Sequence, residues 1–172
     1  MNNWEFETDA IHGGYNGDDK TGATSVPIYQ SAGFYHGTAQ ELADTFQGKK
    51  FGYLYSRIGN PTVTAYENRL NALEHGIGAV CVASGMAAIN TAILSLAQSG
   101  DSIVVAKSLF GGTYYLLNGV ISKLGIQVRY VDTTDPESYE KAIDHTTRLI
   151  FLESRQMAVV TRQGITLSTI EG

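Results

Sequence analysis

The order of apolar and polar residues changes near residue 60. Residues 1–59 are rich in Gly, Tyr and Phe and have no sustained period, which is typical of an extended arm that does not fold alone. One stretch differs: in TAQELADTF, Thr38–Phe46, Thr38 is placed to cap a short helix with Glu41 three residues later. We therefore expect an amino-terminal arm over residues 1–59 that contains one short helix.

From Asn60 onward, helical and strand patterns alternate. Asn60-Pro61 is a typical helix start, and apolar residues recur on one helical face as far as Leu73. Further helices are predicted to begin near Ser84, Thr113 and Asp135, with Gly125 as a cap. The predicted strands are Ala79–Ala83, Ser102–Ala106, Gln127–Val131 and Leu149–Leu152. This alternation predicts an α/β fold over residues 60–154, with a mostly parallel sheet covered by helices on both faces.

Two of these elements carry specific burial predictions. The run AVCVA, Ala79–Ala83, is continuously apolar, so we expect a strand buried on both faces. Within it, Cys81 is expected to act as a small buried hydrophobe, and as a lone cysteine it excludes an intrachain disulfide. The helix after Ser84 is expected to turn one apolar stripe inward, made of Ala88, Ile89, Ala92, Ile93 and Leu96.

Charge and composition exclude several function classes. Twelve Lys and Arg against seventeen Asp and Glu give a formal net charge of −5, which disfavours a nucleic-acid partner. No apolar run approaches the roughly 20 residues that cross a bilayer, and the first residues are acidic, so we expect a cytoplasmic protein without a membrane partner. No metal site is expected, because the histidines lack metal-ligand spacing: His12, His36, His75 and His145.

Residues that directly follow the predicted strands are the candidates for chemistry, because ligands of open α/β sheets bind at the carboxyl ends of the strands. ASGM, Ala83–Met86, leads into a helix, where free N–H groups and the helix dipole favour a phosphate; an ordinary strand-to-helix turn is the alternative. Phe110 stands beside two glycines after the next strand, where its ring can cover a planar cofactor or fill the core. Neither a Walker loop nor a GxGxxG fingerprint occurs, which argues against a Rossmann-like nucleotide binder.

Tyr55 and Arg57 form a second candidate group upstream. They place a phenol and a guanidinium two residues apart, just before the helix that begins at Asn60. An Arg guanidinium can donate two parallel hydrogen bonds to a phosphate or a carboxylate, and a Tyr hydroxyl can donate to the same group. A surface ion pair of Arg57 is the alternative.

Four segments, in their order along the chain, complete a resemblance. TGATSVPIYQS at residues 21–31, YSRIGNPT at 55–62, VASGMAA at 82–88 and LFGGTY at 109–114 together resemble the Cys/Met-metabolism family of pyridoxal-phosphate (PLP) enzymes, the trans-sulfuration enzymes. Within this family the chain is most similar to O-acetylhomoserine sulfhydrylases, from about Phe6 to Ser154. The resemblance implies an aspartate-aminotransferase-like (type I PLP) fold, of which this chain holds the amino-terminal part of the large domain.

The resemblance also implies the cofactor, pyridoxal 5'-phosphate, and the residues that bind it: Tyr55, Arg57, Ser84, Gly85, Met86 and Phe110. Backbone N–H groups of Gly85 and Met86, with Ser84 at the same turn, would hold the phosphate, and Phe110 would stack on the pyridine ring. Tyr55 and Arg57 would reach the phosphate of a neighbouring subunit, so the site would be shared across a dimer, commonly within a homotetramer. Apolar residues of the arm would then bury against the partner chain: Ile28, Phe34 and Tyr35.

The reaction implied by the resemblance is a γ-replacement. O-acetylhomoserine and sulfide would give homocysteine and acetate, a step of methionine and cysteine biosynthesis. Methionine γ-lyase and cystathionine synthase or lyase activities are the alternatives. Gly112 stands where methionine γ-lyases typically carry Cys, which disfavours that lyase.

Two catalytic parts of the family mechanism have no match in the chain: the Schiff-base lysine and the aspartate that keeps the ring nitrogen protonated. None of the lysines fits the family motif: Lys20, Lys49, Lys50, Lys107, Lys123 and Lys141. Lys107 follows a strand, but its placement favours a rim residue, so no catalytic residue is assigned. We expect a truncated, inactive fragment; a non-catalytic fragment that docks on a full-length homologue is the alternative.

The resemblance stops after Ser154. Gln156-Met157-Ala158 is encoded CAR-ATG-GCN, and the frame that starts at the third base of the Gln codon reads RAT-GGC, which is Asn or Asp followed by Gly. An Asn thus reappears close to where the family expects one. We therefore expect residues 155–172 to be an out-of-frame tail that does not belong to the family.

Overall fold

The computed structural model describes residues 4–18 and 20–152, and the backbone of two further strands at 156–161 and 164–169. The chain divides into two compact units, residues 1–81 and 82–172. The helix that begins at Pro61 therefore belongs to the first unit together with the arm. Among the residues described, no helix has the length and apolar character needed to span a membrane.

The first unit contains three helices: α1 (Phe6–His12), α2 (Ala39–Phe46) and α3 (Pro61–Leu73). The predicted caps of α2 and α3 are confirmed, since Thr38 accepts a hydrogen bond from the Glu41 N–H and Asn60 accepts one from the Thr62 N–H. Helix α1 was not predicted, because seven residues make two turns at most and show no clear apolar period.

Helix α1 is fastened to α3 by one side chain. The Arg69 guanidinium of α3 donates to the carbonyl oxygen of Ala10 at 2.7 Å and to that of Gly13 at 2.5 Å. These carbonyl groups lie at the end of α1, where no intrahelical donor is available to them. The start of the arm is thus packed on a helix instead of being extended.

The second unit is built on a parallel sheet of three strands: β1 (Ser102–Ala106), β2 (Gln127–Val131) and β3 (Thr147–Phe151). Their order is β2-β1-β3, and Val104 of β1 stands opposite Arg129 on one side and Ile150 on the other. The connecting helices are α4 (Gly85–Leu96), α5 (Gly111–Leu116) and α6 (Pro136–Ala142). The backbone of β4 (Gln156–Thr161) and β5 (Gly164–Thr169) forms a separate antiparallel pair.

Helices cover both faces of the sheet, as predicted. On one face, Ile103 and Val105 pack with residues of α4 and of the segment after α5: Ile93, Ala97, Leu117 and Ile121. On the other face, Val104 and Val131 pack with Tyr139 of α6. Strand β1 is consequently buried along its whole length, which explains the apolar residues at 103–106.

The segment predicted as one helix, Thr113–Leu124, changes its helix type at Leu117. Helix α5 continues as a π-helical turn over Leu117–Ile121 and a 3₁₀ turn over Ser122–Leu124. The Ser122 hydroxyl donates to the Leu117 carbonyl oxygen at 2.9 Å, a contact across the wider turn. Gly125 ends the segment at φ 81°, so the predicted cap is confirmed.

Two burial predictions were wrong. Ala79–Ala83 forms no strand, and Val80 is 82% exposed; the Cys81 N–H donates to the Glu67 carboxylate at 2.7 Å instead of joining a strand ladder. In α4, Leu96 is 56% exposed, whereas Ala97 is buried. The inward stripe consists of Ile89, Ile93 and Ala97, which keep a spacing of four residues.

Of the predicted tail, 155–172, the structure describes only the backbone of β4 and β5, and Glu153 and Ser154 lie outside the described residues.

Candidate functional site

The first turn of α4 presents free hydrogen-bond donors. Ser84 is the N-cap, and its hydroxyl oxygen accepts from the Ala87 N–H at 3.1 Å. Gly85 and Met86 follow as the first two helical residues, and no acceptor for their N–H groups is present in the described part of the chain. A Cβ atom on Gly85 would meet nothing within 4 Å, so the space before the helix is open. These features fit a phosphate group.

Phe110 lies beside this turn. It precedes α5 at the end of the connection from β1, and its side chain is 77% exposed, so the alternative of a core phenylalanine is wrong. A Cβ atom built on Gly112 would lie 2.8 Å from Cε1 of Phe110 and 3.4 Å from the sulfur of Met86. The ring and the α4 terminus therefore meet at Gly112, where a planar ring and its phosphate can be held together.

Tyr55 and Arg57 lie in the first unit, and both are exposed. The guanidinium carbon of Arg57 is 5.7 Å from the centroid of the Tyr55 ring. Among the described residues Arg57 makes no ion pair, so the alternative of a surface salt bridge is not observed. The guanidinium hydrogens remain available to an anion.

The backbone beside Tyr55 and Arg57 is firmly anchored. The Ser56 N–H donates to the Ala32 carbonyl oxygen at 2.8 Å, and an isolated β-bridge joins Tyr55 to Gly33. Buried Asn60 donates to the carbonyl oxygen of Tyr29 and to the hydroxyl of Ser56, both at 2.9 Å. The sequence indicated Asn60 as a helix cap, but its second role in anchoring this loop was missed.

Two charged residues follow the strand ends of the sheet. Lys107, just after β1, is exposed, and its N–H donates to the Val131 carbonyl oxygen at 3.0 Å. Asp132 follows β2, and backbone and side-chain hydrogen bonds from Thr134 lower the pKa of its carboxyl group. The charge of Lys107 acts in the same direction. Asp132 was not singled out in the sequence, because one Asp after a strand is typical of a turn.

Comparisons with known proteins agree on one family. The model of the family described as Cys/Met metabolism PLP-dependent enzyme matches residues 7–165, so the match extends beyond Ser154. O-acetyl-L-homoserine sulfhydrylase from Corynebacterium glutamicum is 43% identical over 152 residues, which are 88% of this chain and 35% of the relative. L-methionine gamma-lyase from Treponema denticola is 38% identical over 149 residues, 87% of this chain and 37% of the relative.

Solved structures show the same relationship. A putative O-acetylhomoserine (thiol)-lyase from Campylobacter jejuni, containing N'-pyridoxyl-lysine-5'-monophosphate, has a TM-score of 0.83 and 39% identity, over 89% of this chain and 38% of that one. Cystathionine gamma-lyase from Lactobacillus plantarum, complexed with L-serine, has a TM-score of 0.76 and 43% identity, over 87% of this chain and 36% of that one. The chain thus spans somewhat more than a third of the length of these relatives.

Proposed function

The chain belongs to the Cys/Met-metabolism family of PLP-dependent enzymes, and on that basis we propose that its parent protein makes homocysteine and acetate from O-acetylhomoserine and sulfide. The fold is the amino-terminal part of a type I PLP enzyme, and the family cofactor is pyridoxal 5'-phosphate. The observation that carries the proposal is the exposed Phe110 ring beside the free N–H groups of Gly85 and Met86, in a chain 43% identical to a sulfhydrylase.

The residues at the start of α4 fit the phosphate of this cofactor. The N–H groups of Gly85 and Met86 would donate to the phosphate oxygens, and the positive end of the α4 dipole would add to the attraction. The Ser84 oxygen is already used as the helix cap, but its hydroxyl hydrogen remains a donor. Phe110 would cover one face of the pyridine ring and exclude water from it. When bound, pyridoxal phosphate supplies an electron sink for carbanion chemistry.

Tyr55 and Arg57 complete the site in a second subunit of a homo-oligomer, under this proposal. Their loop is anchored, Arg57 has no ion-pair partner among the described residues, and a guanidinium binds phosphate well. Ile28 and Tyr35 of the arm are 77% and 92% exposed, which suits burial against a partner chain. Phe34 is half-buried, with its ring centroid 5.5 Å from that of Tyr53.

Two alternatives have specific support. Lyases of this family resemble the chain to a similar degree: cystathionine gamma-lyase of Bacillus subtilis is 44% identical over 144 residues. Methionine or cystathionine cleavage is therefore the second candidate activity. A non-catalytic fragment that docks on a full-length homologue is the third possibility, because none of the lysines fits the family motif for cofactor attachment.

The activity is tested on the protein expressed from the complete coding region of the locus. It is assayed in parallel with O-acetylhomoserine plus sulfide, with methionine, and with cystathionine. We expect homocysteine formation from O-acetylhomoserine to exceed both cleavage reactions. Faster release of methanethiol from methionine, or of cysteine from cystathionine, would replace the proposal by the lyase alternative.

We further propose that residues 155–172 are translated out of frame, on the basis of the Asn codon that reappears beside Met157. Resequencing the locus tests this. An additional or missing base before the codon of Met157 is the expected result, followed by a frame that encodes the family's attachment lysine. A correct sequence whose downstream frame lacks that segment rules the proposal out.

A further inference from the structure

Strand β3 has a free edge, because none of the described strands pairs with its second side. The sheet order is β2-β1-β3, and β4 pairs with β5. After a bulge at Arg148, the ladder between β3 and β1 is regular from Leu149 to Phe151. All three residues of this part are apolar, as in a parallel strand that lies between two neighbours. They are nevertheless only half-buried, so β3 has the sequence of an interior strand at the edge of the sheet.

The opposite edge of the sheet is protected by polar residues. In β2, Gln127 and Arg129 alternate with apolar residues. The Arg129 guanidinium donates to the carbonyl oxygen of Ala142 at 2.8 Å and forms an ion pair with Asp144 at 2.8 Å. A charged side chain in an edge strand opposes the addition of a further strand. Of the two edges of this sheet, the edge of β3 is therefore the one that suits a new neighbour.

Helix α4 has a second apolar stripe beside the one that packs on the sheet. None of its twelve residues is charged. Ile89 and Ile93 pack in the same core as Phe151 of β3, so α4 lies on the edge strand. The second stripe also has a spacing of four residues, and it is exposed: Ala88, Ala92 and Leu96. A helix that is apolar on two adjoining faces is typical of a helix covered on both.

From these two features we infer a docking surface, the β3 edge surface, formed by the free edge at 149–151 and the α4 stripe of Ala88, Ala92 and Leu96. Its occupant is a parallel strand from the carboxyl-terminal part of a protein of this family. The Campylobacter jejuni structure has the same fold over 89% of this chain, which is only 38% of that protein, so most of a family protein lies outside the matched part. A separate polypeptide can supply this strand, and the inference does not depend on the cofactor site.

A second copy of this chain is a poorer occupant. In a symmetric dimer formed through two β3 edges, the two strands would run antiparallel. Both pairings within this sheet are parallel, and the apolar sequence of β3 is typical of a parallel sheet covered on both faces. A strand that continues the sheet in the same direction, followed by its own helix, covers the edge and the adjoining apolar side chains together.

The test co-expresses the tagged chain with the part of the Corynebacterium glutamicum relative that follows its matched 152 residues. We expect the two polypeptides to purify as a 1:1 complex and the amides at 149–151 to exchange hydrogen more slowly in it. Ala92→Glu should weaken the complex at least about tenfold, because a carboxylate would be buried without a partner. The matched control is Thr91→Glu, whose position is exposed and turned away from Ile93, and it should leave the affinity unchanged.

Three results would overturn the inference: no complex with the wild-type chain, equal affinities of Ala92→Glu and Thr91→Glu, or unchanged exchange at 149–151. A homodimer that protects the same amides would replace the proposed occupant by a second copy. A further measurement needs no fragment: the dye anilinonaphthalene sulfonate should bind less to Ala92→Glu than to Thr91→Glu, and equal dye binding contradicts an exposed apolar surface at Ala92. Urea unfolding of both variants shows whether they are folded.

Discussion

The Arg57 guanidinium stands over the ring of Tyr55, with 5.7 Å between its carbon Cζ and the ring centroid. Both side chains are exposed, and Arg57 has no ion pair among the described residues. The backbone on either side is anchored through Ser56 and Asn60. The Arg57 guanidinium is thus exposed on the first unit and can bind an anion. This role can be tested directly.

Replacement of Arg57 is expected to weaken phosphate binding only when two subunits are associated. Arg57→Ala should lower the affinity for pyridoxamine 5'-phosphate roughly tenfold at protein concentrations at which the chain self-associates, because a charge-assisted hydrogen bond is lost. Lys49→Ala, which removes an exposed cation of the same unit, should have no effect. Binding is measured at high and low protein concentration alongside light scattering. The same loss in a dilute monomer would contradict a site shared across a dimer.

Asp144 is predicted to make the second unit sensitive to acid. Hydrogen bonds from Arg129, 2.8 Å away, and from Thr146 hold the pKa of the Asp144 carboxyl well below its ordinary value. A lowered pKa adds stability that is complete above the unfolded value of about 4 and is lost as the pH falls towards the folded value. The stability difference between wild type and Asp144→Asn should therefore shrink below about pH 4.

Urea unfolding at several pH values between 3 and 7 measures this difference. The control is Glu137→Gln, which breaks the exposed ion pair with Lys141 and should change stability little at any pH. A difference between wild type and Asp144→Asn that stays constant, or grows, on acidification would show that Arg129 does not stabilise the carboxylate of Asp144.

Gly125 is expected to tolerate no side chain, for two separable reasons. Its φ of 81° strains any residue with a Cβ atom, and that atom would collide with the hydroxyl of Ser99. Gly100 has φ 93° but open space around it, so Gly100→Ala measures the strain alone. We expect Gly125→Ala to cost about 1 kcal/mol more than Gly100→Ala, and Ser99→Gly to recover much of that excess. If Gly125→Ala and Gly100→Ala lose the same unfolding free energy in urea, Ser99 moves aside without a cost in stability.

The chain alone is predicted to attach pyridoxal phosphate to no single lysine. Reduction with borohydride followed by mass spectrometry should show low, scattered labelling over exposed lysines. Lys107 is the residue to watch, because it lies just after β1, at the same end of the strand as Phe110. Stoichiometric labelling of Lys107 would make it a candidate catalytic residue and overturn the view that the attachment lysine lies elsewhere.

Elements governed by local signals could be predicted from the sequence. The bounds of β1 and β2 agree with the prediction, because β1 holds a short apolar run and in β2 the apolar residues Val128 and Tyr130 alternate with the polar residues Gln127 and Arg129. The caps at Asn60, Ser84 and Asp135 were likewise recognisable, since each places a side-chain oxygen beside free N–H groups.

What depends on distant partners could not be predicted. Ala79–Ala83 has the apolar sequence of a strand, yet a strand also requires a neighbour for its ladder, and the Cys81 N–H bonds to Glu67 instead. In the same way, the motifs indicated Met86 and Phe110 separately, but their meeting at Gly112 is a property of the packed helices. Sequence patterns thus identified the candidate residues and not their contacts.

The central claim is that the first turn of α4 binds the phosphate of the cofactor beside Phe110. It is tested most directly by titrating the ¹⁵N-labelled chain with pyridoxamine 5'-phosphate and following the backbone amide resonances. We expect the largest shifts at Gly85 and Met86, and weaker binding of the probe by Phe110→Ala. Saturating shifts confined to other residues, with Gly85 and Met86 unmoved, would contradict it.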